Sequence, residues 1–298
     1  MVINRKDLKK TMNVLHETFF LSQYRKVNLF IVGVSNVGKT LMQQIAAQRK
    51  YLREEFSIEF NLAGVANSRK MLLNYEGINL DTWEEQLESE SSPTDMASFV
   101  KKMKTYNLRN SVFVDNTAST EIPGWYEEIP DTSISVVASN KTGISANYPF
   151  FQKNRVLARK RNVSLLFETN VGAGLPVIRS MNDLVQSGDR ILRIEAVLSG
   201  TLNYIFNTFG PEQPFSQTVR EAMQKGLTKP DPRIDLSGED VARKILILAR
   251  EAGAVMNIDE VKRDSFLPEE CSRARSLDEF FACHAGRNER FRNPYAHC

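Results

Sequence analysis

The stretch Gly33-Val34-Ser35-Asn36-Val37-Gly38-Lys39-Thr40 decides the fold of this chain. It follows the apolar run Val27–Val32, which is typical of a buried parallel strand, and it opens a helical run at Leu41. Its letters fit the triphosphate loop G-x-x-x-x-G-K-T. They also fit the dinucleotide turn G-x-G-x-x-G, with serine at the middle glycine. Both loops hold a phosphate at a helix N-terminus, so these residues alone leave the choice open.

Length and composition indicate an ordinary globular protein. The 298 residues are 42% hydrophobic and 25% charged, enough for two domains, and the formal net charge is only +3. Neither a nucleic-acid partner nor a membrane surface is indicated, and we expect a cytoplasmic protein without a signal peptide. The three cysteines lie far apart and are predicted to be reduced thiols: Cys271, Cys283 and Cys298.

The first half alternates strands with helices. Strands are predicted over 27–33, 57–66, 111–115 and 134–138, a helix over 38–50, and a solvated helical excursion over 75–105. Small polar loops follow the strands, as expected where a parallel sheet binds a ligand at its carboxyl edge. We therefore predict an α/β fold with a Rossmann-type nucleotide-binding domain over residues 25–148.

The second half predicts a different domain. Strands over 163–168 and 190–198 flank a helix that begins at Pro176, and another helix covers 238–251, capped by Ser237. We expect an α+β substrate-binding domain with a mixed sheet over residues 149–298. A separate helix is predicted over residues 4–20.

Two sets of loop residues suit the two phosphate chemistries. In a triphosphate loop, Lys39 would contact the phosphates and Thr40 would bind Mg²⁺. Such a site also needs an acidic second ligand for the Mg²⁺, and Asp115, at the end of a predicted strand, could supply it. A dinucleotide is favoured by Asn67-Ser68-Arg69, since an arginine after the second strand can accept a 2′-phosphate; this points weakly to NADP over NAD. Lys141, directly after the strand ending at Ala138, is either a cofactor or substrate contact or a surface lysine.

The run from Lys229 to Lys244 contains the sharpest candidates for catalysis. Asp231, Asp235 and Asp240 occur within ten residues, and Lys244 falls on the same helical stripe as Val241, Ile245 and Leu248. An inward ammonium must find partners or lose its proton. The alternative is a lysine whose stem runs past apolar neighbours to solvent.

Taken in order, these motifs resemble the homoserine dehydrogenase part of bifunctional aspartokinase–homoserine dehydrogenases. The resemblance runs from about Val27 to about Arg292, and residues 1–24 resemble a remnant of the aspartokinase regulatory (ACT) region. It rests on the glycine loop and on six later motifs: Gly64–Ser68, Asp115–Ser119, Ser139–Lys141, Glu168–Pro176, Ser199–Ile205 and Lys229–Lys244.

The resemblance implies NAD(P)H-dependent, reversible reduction of aspartate 4-semialdehyde to homoserine, a step of threonine and methionine biosynthesis. It implies that Lys244 donates the proton, that Lys141 assists at the same centre, and that Asp240 positions the lysine. The implied substrate residues are Asp235, Lys229, Gly200 and Thr201. The implied cofactor residues are Gly33, Ser35, Asn36, Val37, Gly38, Asn67, Ser68, Arg69, Asn116, Thr117, Ser119 and Lys141.

A monovalent cation and a homodimer are implied as well. Glu168, with the carbonyls of Val171, Ala173 and Leu175, matches a Na⁺ site of the family. The dimer would form through the substrate-domain sheet.

Three departures from the family pattern predict weakened activity. Ser35 stands where the family usually has glycine, and its side chain crowds the approach of the pyrophosphate. Lys229 replaces a glutamate that holds the substrate ammonium, and a like-charge contact at 4 Å costs about 4 kcal/mol at an effective dielectric near 20. The chain ends at Cys298, before a segment that completes the nucleotide domain in the family. The alternatives are therefore an inactive fold with a dimerisation or regulatory role and, less favoured, a P-loop nucleotidase.

Overall fold

The computed structural model describes residues 24–210, 214–228, 231–263 and 273–285, together with Leu8, Thr11, Met12 and Cys271. The chain divides into two compact units, one ending at Gly174 and one beginning at Leu175. The helix predicted over 4–20 lies outside the described residues except at three positions, and so does Lys229.

The first unit is built on one sheet of seven strands in the order β4-β3-β2-β1-β5-β6-β7. The strands are β1 (Arg25–Val32), β2 (Ile58–Ala66), β3 (Lys70–Ile78), β4 (Ser92–Pro93), β5 (Ser111–Asp115), β6 (Ser135–Ala138) and β7 (Leu165–Leu166). The helices of this unit are α1 (Asn36–Phe56), α2 (Trp83–Ser89), α3 (Met96–Tyr106), α4 (Lys141–Ile144) and α5 (Tyr148–Arg161).

The strand order of this sheet contains a switch point, which is where open α/β sheets bind ligands. Strands β2, β1, β5, β6 and β7 are parallel, and β3 and β4 extend the sheet antiparallel. From β1 the chain passes to β2 on one side and later to β5 on the other, so the strand order reverses between β1 and β5. Ligands of open α/β sheets bind outside the strand ends at such a point. The predicted Rossmann-type domain is confirmed.

The predicted excursion over 75–105 is wrong in part, because β3 and β4 lie in or beside it. The Asn67 side-chain oxygen accepts the amides of Arg69 and Lys70, both at 2.7 Å, and closes the turn from β2 into β3. Strand β3 lies near the sheet edge and is only partly buried, with Met71 and Ile78 as its buried residues. Its mixed polar letters therefore lacked the strong pattern of a core strand.

Helix α5 and strand β7 belong to the first unit, although both were expected in the second domain. Strand β7 pairs parallel with β6 through Val136–Leu165 and Val137–Leu166. A parallel neighbour needs a crossover connection, and α5 supplies it. The sequence between Tyr148 and Leu166 thus completes the first sheet.

The described part of the second unit is helical. Its helices are α6 (Val177–Gln186), α7 (Gly200–Thr208), α8 (Phe215–Gln224), α9 (Pro232–Leu236), α10 (Glu239–Glu251) and α11 (Leu277–Ala285). Phe215, Leu236 and Phe280 are fully buried in its core. The strand predicted over 190–198 is not observed: no residue described in this unit lies in a strand, and Leu192 and Val197 are 93% and 75% exposed. A strand needs a neighbour for its backbone groups, and the described chain offers none here.

The prediction of reduced thiols is wrong for two of the three cysteines. Cys271 and Cys283 form a disulfide, with Cα atoms 5.7 Å apart. They are separated by 12 residues in sequence, but both belong to the core around Phe280. Tertiary packing brought them together, which sequence spacing did not reveal.

The disulfide predicts a definite thiol count. Of three cysteines two are paired, so denatured protein should show one reactive thiol before reduction and three after it. Closing a short loop restricts the unfolded chain, and reduction should lower the free energy of unfolding by about 3 kcal/mol. Thiol titration and denaturant unfolding with and without reductant measure both effects. Three reactive thiols before reduction would contradict the pairing.

Candidate functional site

The turn after β1 requires glycine at two positions for different reasons. Gly33 has a φ of +88°, and a Cβ there would lie 2.7 Å from the Asn116 carbonyl carbon. A Cβ on Gly38 would lie 2.0 Å from the Gly33 oxygen. The first glycine thus permits the turn, and the second lets α1 pack directly onto it. These are the roles of the outer glycines in a dinucleotide turn.

The middle position of the turn is compatible with a side chain. Ser35 is the N-cap of α1 with a φ of −76°, it is exposed, and its hydroxyl makes no capping bond. Asn36 and Val37 begin the helix and are also exposed. Serine is therefore unstrained here, and any effect on a cofactor comes from the volume of its side chain beside the helix N-terminus.

Two of the three groups that a triphosphate loop would need are engaged elsewhere. The Lys39 ammonium pairs with Glu84 at 2.8 Å. The Asp115 carboxylate is fully buried and accepts four hydrogen bonds from protein donors, which leaves no open position for Mg²⁺. The geometry favours a dinucleotide over a magnesium-bound triphosphate.

Asp115 joins two loops that together carry four of the twelve predicted cofactor residues. Its Oδ1 accepts the amide and hydroxyl of Thr117 at 2.8 and 2.7 Å. Its Oδ2 accepts the Tyr126 hydroxyl at 2.6 Å and the Asn140 amide at 3.0 Å. Asn140 also donates to the Ser119 carbonyl at 2.8 Å. The Thr117–Ser119 loop and the start of α4 are thereby locked together.

Lys141 and Asn116 flank this cluster. Asn140 accepts the Thr142 amide at 3.0 Å and caps α4, whose first residue is Lys141. The side-chain nitrogen of Asn116 is buried and has no acceptor in the described structure; it lies 3.5 Å from where a Cβ on Gly38 would be. A donor beside the glycine turn suits an anionic ligand.

The β2–β3 turn places its three predicted residues differently. The Asn67 side-chain oxygen is occupied by the turn, whereas Ser68 and Arg69 are exposed. The pKa of Glu88 is lowered mainly by a hydrogen bond from Lys70 and by the charge of Lys70. The charge of Arg69 lowers it further, by a smaller amount. Ser68 and Arg69 are accessible to a ligand, while Asn67 shapes the turn.

The glycine-rich loop after β7 contains the predicted cation ligands. Gly172 and Ala173 adopt left-handed φ values of 81° and 52°, and Val171 is buried. Glu168 and these residues end the first unit, and Leu175 begins the second, where its carbonyl accepts the Val177 amide at 2.9 Å. Among the described side chains, no group of three or more His, Cys, Asp or Glu residues is arranged to hold a metal.

In the second unit, Lys244 is held by two acceptors. Its ammonium pairs with Asp240 at 2.7 Å and donates to the Leu198 carbonyl at 2.7 Å. Its side chain is only 18% exposed. The predicted stripe is partly wrong, because Ala242, Leu246 and Leu248 are buried while Val241 and Ile245 are intermediate. The N-cap of α10 is Gly238, with a φ of 71°, rather than Ser237.

The other substrate residues lie on neighbouring helix starts. Gly200 opens α7, and Thr201 donates to the Leu227 carbonyl at 2.5 Å. Asp231 caps α9, which contains Asp235. The hydrogen bond from Arg233 lowers the pKa of Asp231, and the same guanidinium donates to the Ala274 carbonyl at 2.5 Å. Arg233 was not singled out from sequence, because its partner at 274 is distant along the chain.

A two-glycine turn at the switch point of a parallel sheet defines a Rossmann-type dinucleotide-binding protein. The family described as "Homoserine dehydrogenase, NAD binding domain" matches residues 33–168, and "Homoserine dehydrogenase" matches residues 176–291. The chain belongs to the homoserine dehydrogenase family.

Similar proteins include longer, bifunctional ones. The chain is 40% identical over 281 residues to bifunctional aspartokinase/homoserine dehydrogenase 2, chloroplastic, of Arabidopsis thaliana, a match to 94% of this chain and 31% of that protein. It is 36% identical to the bifunctional aspartokinase/homoserine dehydrogenase of Haemophilus influenzae, over 96% of this chain and 35% of that protein. The chain therefore spans about a third of the length of these relatives.

Solved structures share the fold. A Candida auris protein of unknown function aligns with a TM-score of 0.78 and 28% identity, covering 89% of this chain and 74% of that one. A hyperthermophilic archaeal homoserine dehydrogenase in complex with NADPH aligns with a TM-score of 0.66 and 24% identity, covering 80% and 75%. No helix among the described residues is both long and apolar enough to span a bilayer.

Proposed function

We propose that this chain reduces aspartate 4-semialdehyde to homoserine, reversibly, with NAD(P)H. The observation that carries the proposal is the Lys244 ammonium, mostly buried and held between Asp240 and the Leu198 carbonyl. An ammonium has three N–H donors, and these contacts occupy two of them. The third is the donor that an aldehyde oxygen requires as it becomes an alkoxide.

In this proposal the charged side chains have different roles in the reaction. The nicotinamide, when bound, supplies or accepts the hydride. Lys244 gives its proton to the aldehyde oxygen, and Asp240 holds the ammonium in place. Asp235 attracts the substrate ammonium, Gly200 and Thr201 line the pocket, and Lys141 assists near the cofactor.

The cofactor proposal rests on the glycine turn and on the β2–β3 turn. The exact packing at Gly33 and Gly38 and the unsatisfied Asn116 nitrogen fit a pyrophosphate. The exposed Arg69 suits the 2′-phosphate of NADP, with NAD as a weaker alternative.

The cofactor preference can be tested at Arg69. Arg69→Ala should weaken NADPH binding about tenfold, a loss of about 1.4 kcal/mol, and leave NADH binding unchanged. Fluorescence titration of both nucleotides measures this, with Arg49→Ala at another exposed arginine, paired with Asp81, as the control. Equal losses for NADPH and NADH would contradict a role in 2′-phosphate recognition.

We also propose a Na⁺ site formed by Glu168 and the carbonyls of Val171, Ala173 and Leu175, and a homodimer. Carboxylate and carbonyl oxygens suit a hard cation. The exposed Leu192 and Val197 support a second copy that covers the 190–198 segment. A cytoplasmic location is proposed from the sequence; the names of the plant relatives specify chloroplasts for those proteins.

The activity is tested by homoserine-dependent NADP⁺ reduction, with two variants that restore the family residues. Ser35→Gly should tighten cofactor binding, and Lys229→Glu should lower the KM for homoserine about tenfold. Turnover that rises in either variant supports an impaired dehydrogenase. No turnover in the parent or in the double variant, with cofactor still bound, supports the alternative of a catalytically inactive fold with a dimerisation or regulatory role.

A further inference from the structure

The segment after β5 contains a buried tyrosine, Tyr126, that is not among the predicted site residues. Tyr126 ends a short 3₁₀ helix, Ile122–Tyr126, and is 1% exposed. We propose that Tyr126 is a positioning residue that fixes both the Thr117–Ser119 loop and the start of α4 for the cofactor. This inference rests on the proposed function and names a further residue for it.

The hydroxyl of Tyr126 acts on the loop through Asp115. It donates to Asp115 Oδ2 at 2.6 Å, while Oδ1 of the same carboxylate accepts both donors of Thr117. Burial, with the neighbouring Asp115 charge, raises the pKa of Tyr126 far above the ordinary range. The phenol therefore stays protonated and remains a donor at any assay pH. A hydrogen bond to a buried charged group is among the strong ones in a protein.

The ring of Tyr126 acts on α4 by direct packing. A Cβ on Gly143 would lie 2.7 Å from Tyr126 Cε2 and 2.8 Å from Pro123 Cβ. Helix α4 therefore rests against the ring with no room for even a methyl group. Gly143 lies two residues after Lys141, so the packing of α4 against the ring also determines the position of Lys141.

The segment that bears Tyr126 is itself anchored. Ile122, Pro123 and Ile129 are buried around it. Three ion pairs tie its acidic residues to α3 and α5: Lys104–Glu128, Lys153–Glu127 and Arg161–Asp131. Such exposed pairs contribute little singly, but they join this segment to two helices. Tyr126 is thus held in place and can position the Thr117–Ser119 loop and the start of α4.

Asn140 closes the link between the two effects. Its side chain donates to Asp115 and to the Ser119 carbonyl, and accepts the Thr142 amide of α4. A shift of the Asp115 carboxylate therefore moves the Thr117–Ser119 loop and α4 together. Removing the Tyr126 hydroxyl leaves a buried carboxylate with one donor fewer, and the carboxylate must move toward those that remain.

The test is Tyr126→Phe in the full chain, which keeps the ring and removes only the hydroxyl. The dissociation constant for NADPH should rise about tenfold, the KM for homoserine at saturating NADP⁺ should be unchanged, and amide hydrogen exchange should increase over 116–119 and 140–143. Tyr51→Phe, at an exposed position of α1, is the matched control and should change none of these. Gly143→Ala keeps the hydroxyl but displaces α4, and should also weaken NADPH binding.

The outcomes are separable. Faster exchange confined to these loops with weaker NADPH binding supports the proposal. An unchanged NADPH constant in a folded Tyr126→Phe protein, or exchange that rises equally throughout the first unit, overturns it. If the parent binds no NADPH, the proposed function fails, but the exchange of the two loops still decides whether Tyr126 positions them.

Discussion

Replacing Lys244 with methionine should lower turnover of homoserine by about 10² to 10⁴ while NADPH binding stays unchanged. Methionine keeps the length of the side chain and its packing on α10 but removes the ammonium. Oxidation of homoserine is the reverse of aldehyde reduction, so the substrate hydroxyl then has no group to accept its proton, and Asp240 loses its partner at 2.7 Å. Steady-state rates and NADPH titration on the same preparation measure the two effects.

Lys50→Met is the control for this variant. Lys50 lies on α1 with its side chain 81% exposed and should be replaceable without effect on the rate. Asp240→Asn should reproduce part of the Lys244 loss, because the amide cannot hold the ammonium as a carboxylate does. A Lys244→Met protein that oxidises homoserine at the parental rate would refute the assignment of Lys244 as the proton donor.

Replacing Gly38 with alanine should weaken NADPH binding by about 10- to 100-fold and destabilise the first unit by about 1–3 kcal/mol. The added methyl would lie 2.0 Å from the Gly33 carbonyl oxygen, a distance that no relaxed structure tolerates. The N-terminus of α1 must move away from the turn, and its amide donors move with it.

Gly124→Ala provides a matched control in the same unit. Apart from its chain neighbours, no atom of the described residues lies within 4 Å of a Cβ at that position, so the extra methyl meets none of them. It should leave both stability and nucleotide binding at parental values. If Gly38→Ala bound NADPH as tightly as Gly124→Ala, the packing of α1 on Gly33 would have no part in holding the cofactor.

The sequence predicted the core strands and the glycine turn well, because these features depend on local pattern. Strand β5 was predicted at its observed bounds, 111–115, and Val27–Val32 lies within β1. A buried parallel strand is a continuous apolar run, and a turn that needs two glycines shows them in its letters. The inward position of Lys244 was also predicted by its helical spacing, although the buried face of α10 is centred elsewhere; its role in proton transfer stays a prediction.

The features that were missed depend on contacts between distant residues. Nothing near Tyr126 in sequence indicates Asp115 as its partner, and nothing near Cys271 indicates Cys283. Strand β3 was not predicted because a half-exposed strand next to the sheet edge contains polar residues. The 190–198 run has the composition of a strand, but no neighbouring strand pairs with it among the described residues. Its composition therefore predicted a strand that is not observed.

The most direct test of the dehydrogenase assignment is isotope transfer from homoserine deuterated at the carbon that bears the side-chain hydroxyl. The protein is incubated with this substrate and NADP⁺, and the reduced nucleotide is analysed by mass spectrometry, with Lys244→Met alongside. Deuterium in the nicotinamide ring, formed by the parent chain and strongly diminished in the variant, is the predicted result. Reduced nucleotide without deuterium, or no reduced nucleotide from a parent protein that binds NADP⁺, would contradict hydride transfer from homoserine by this chain.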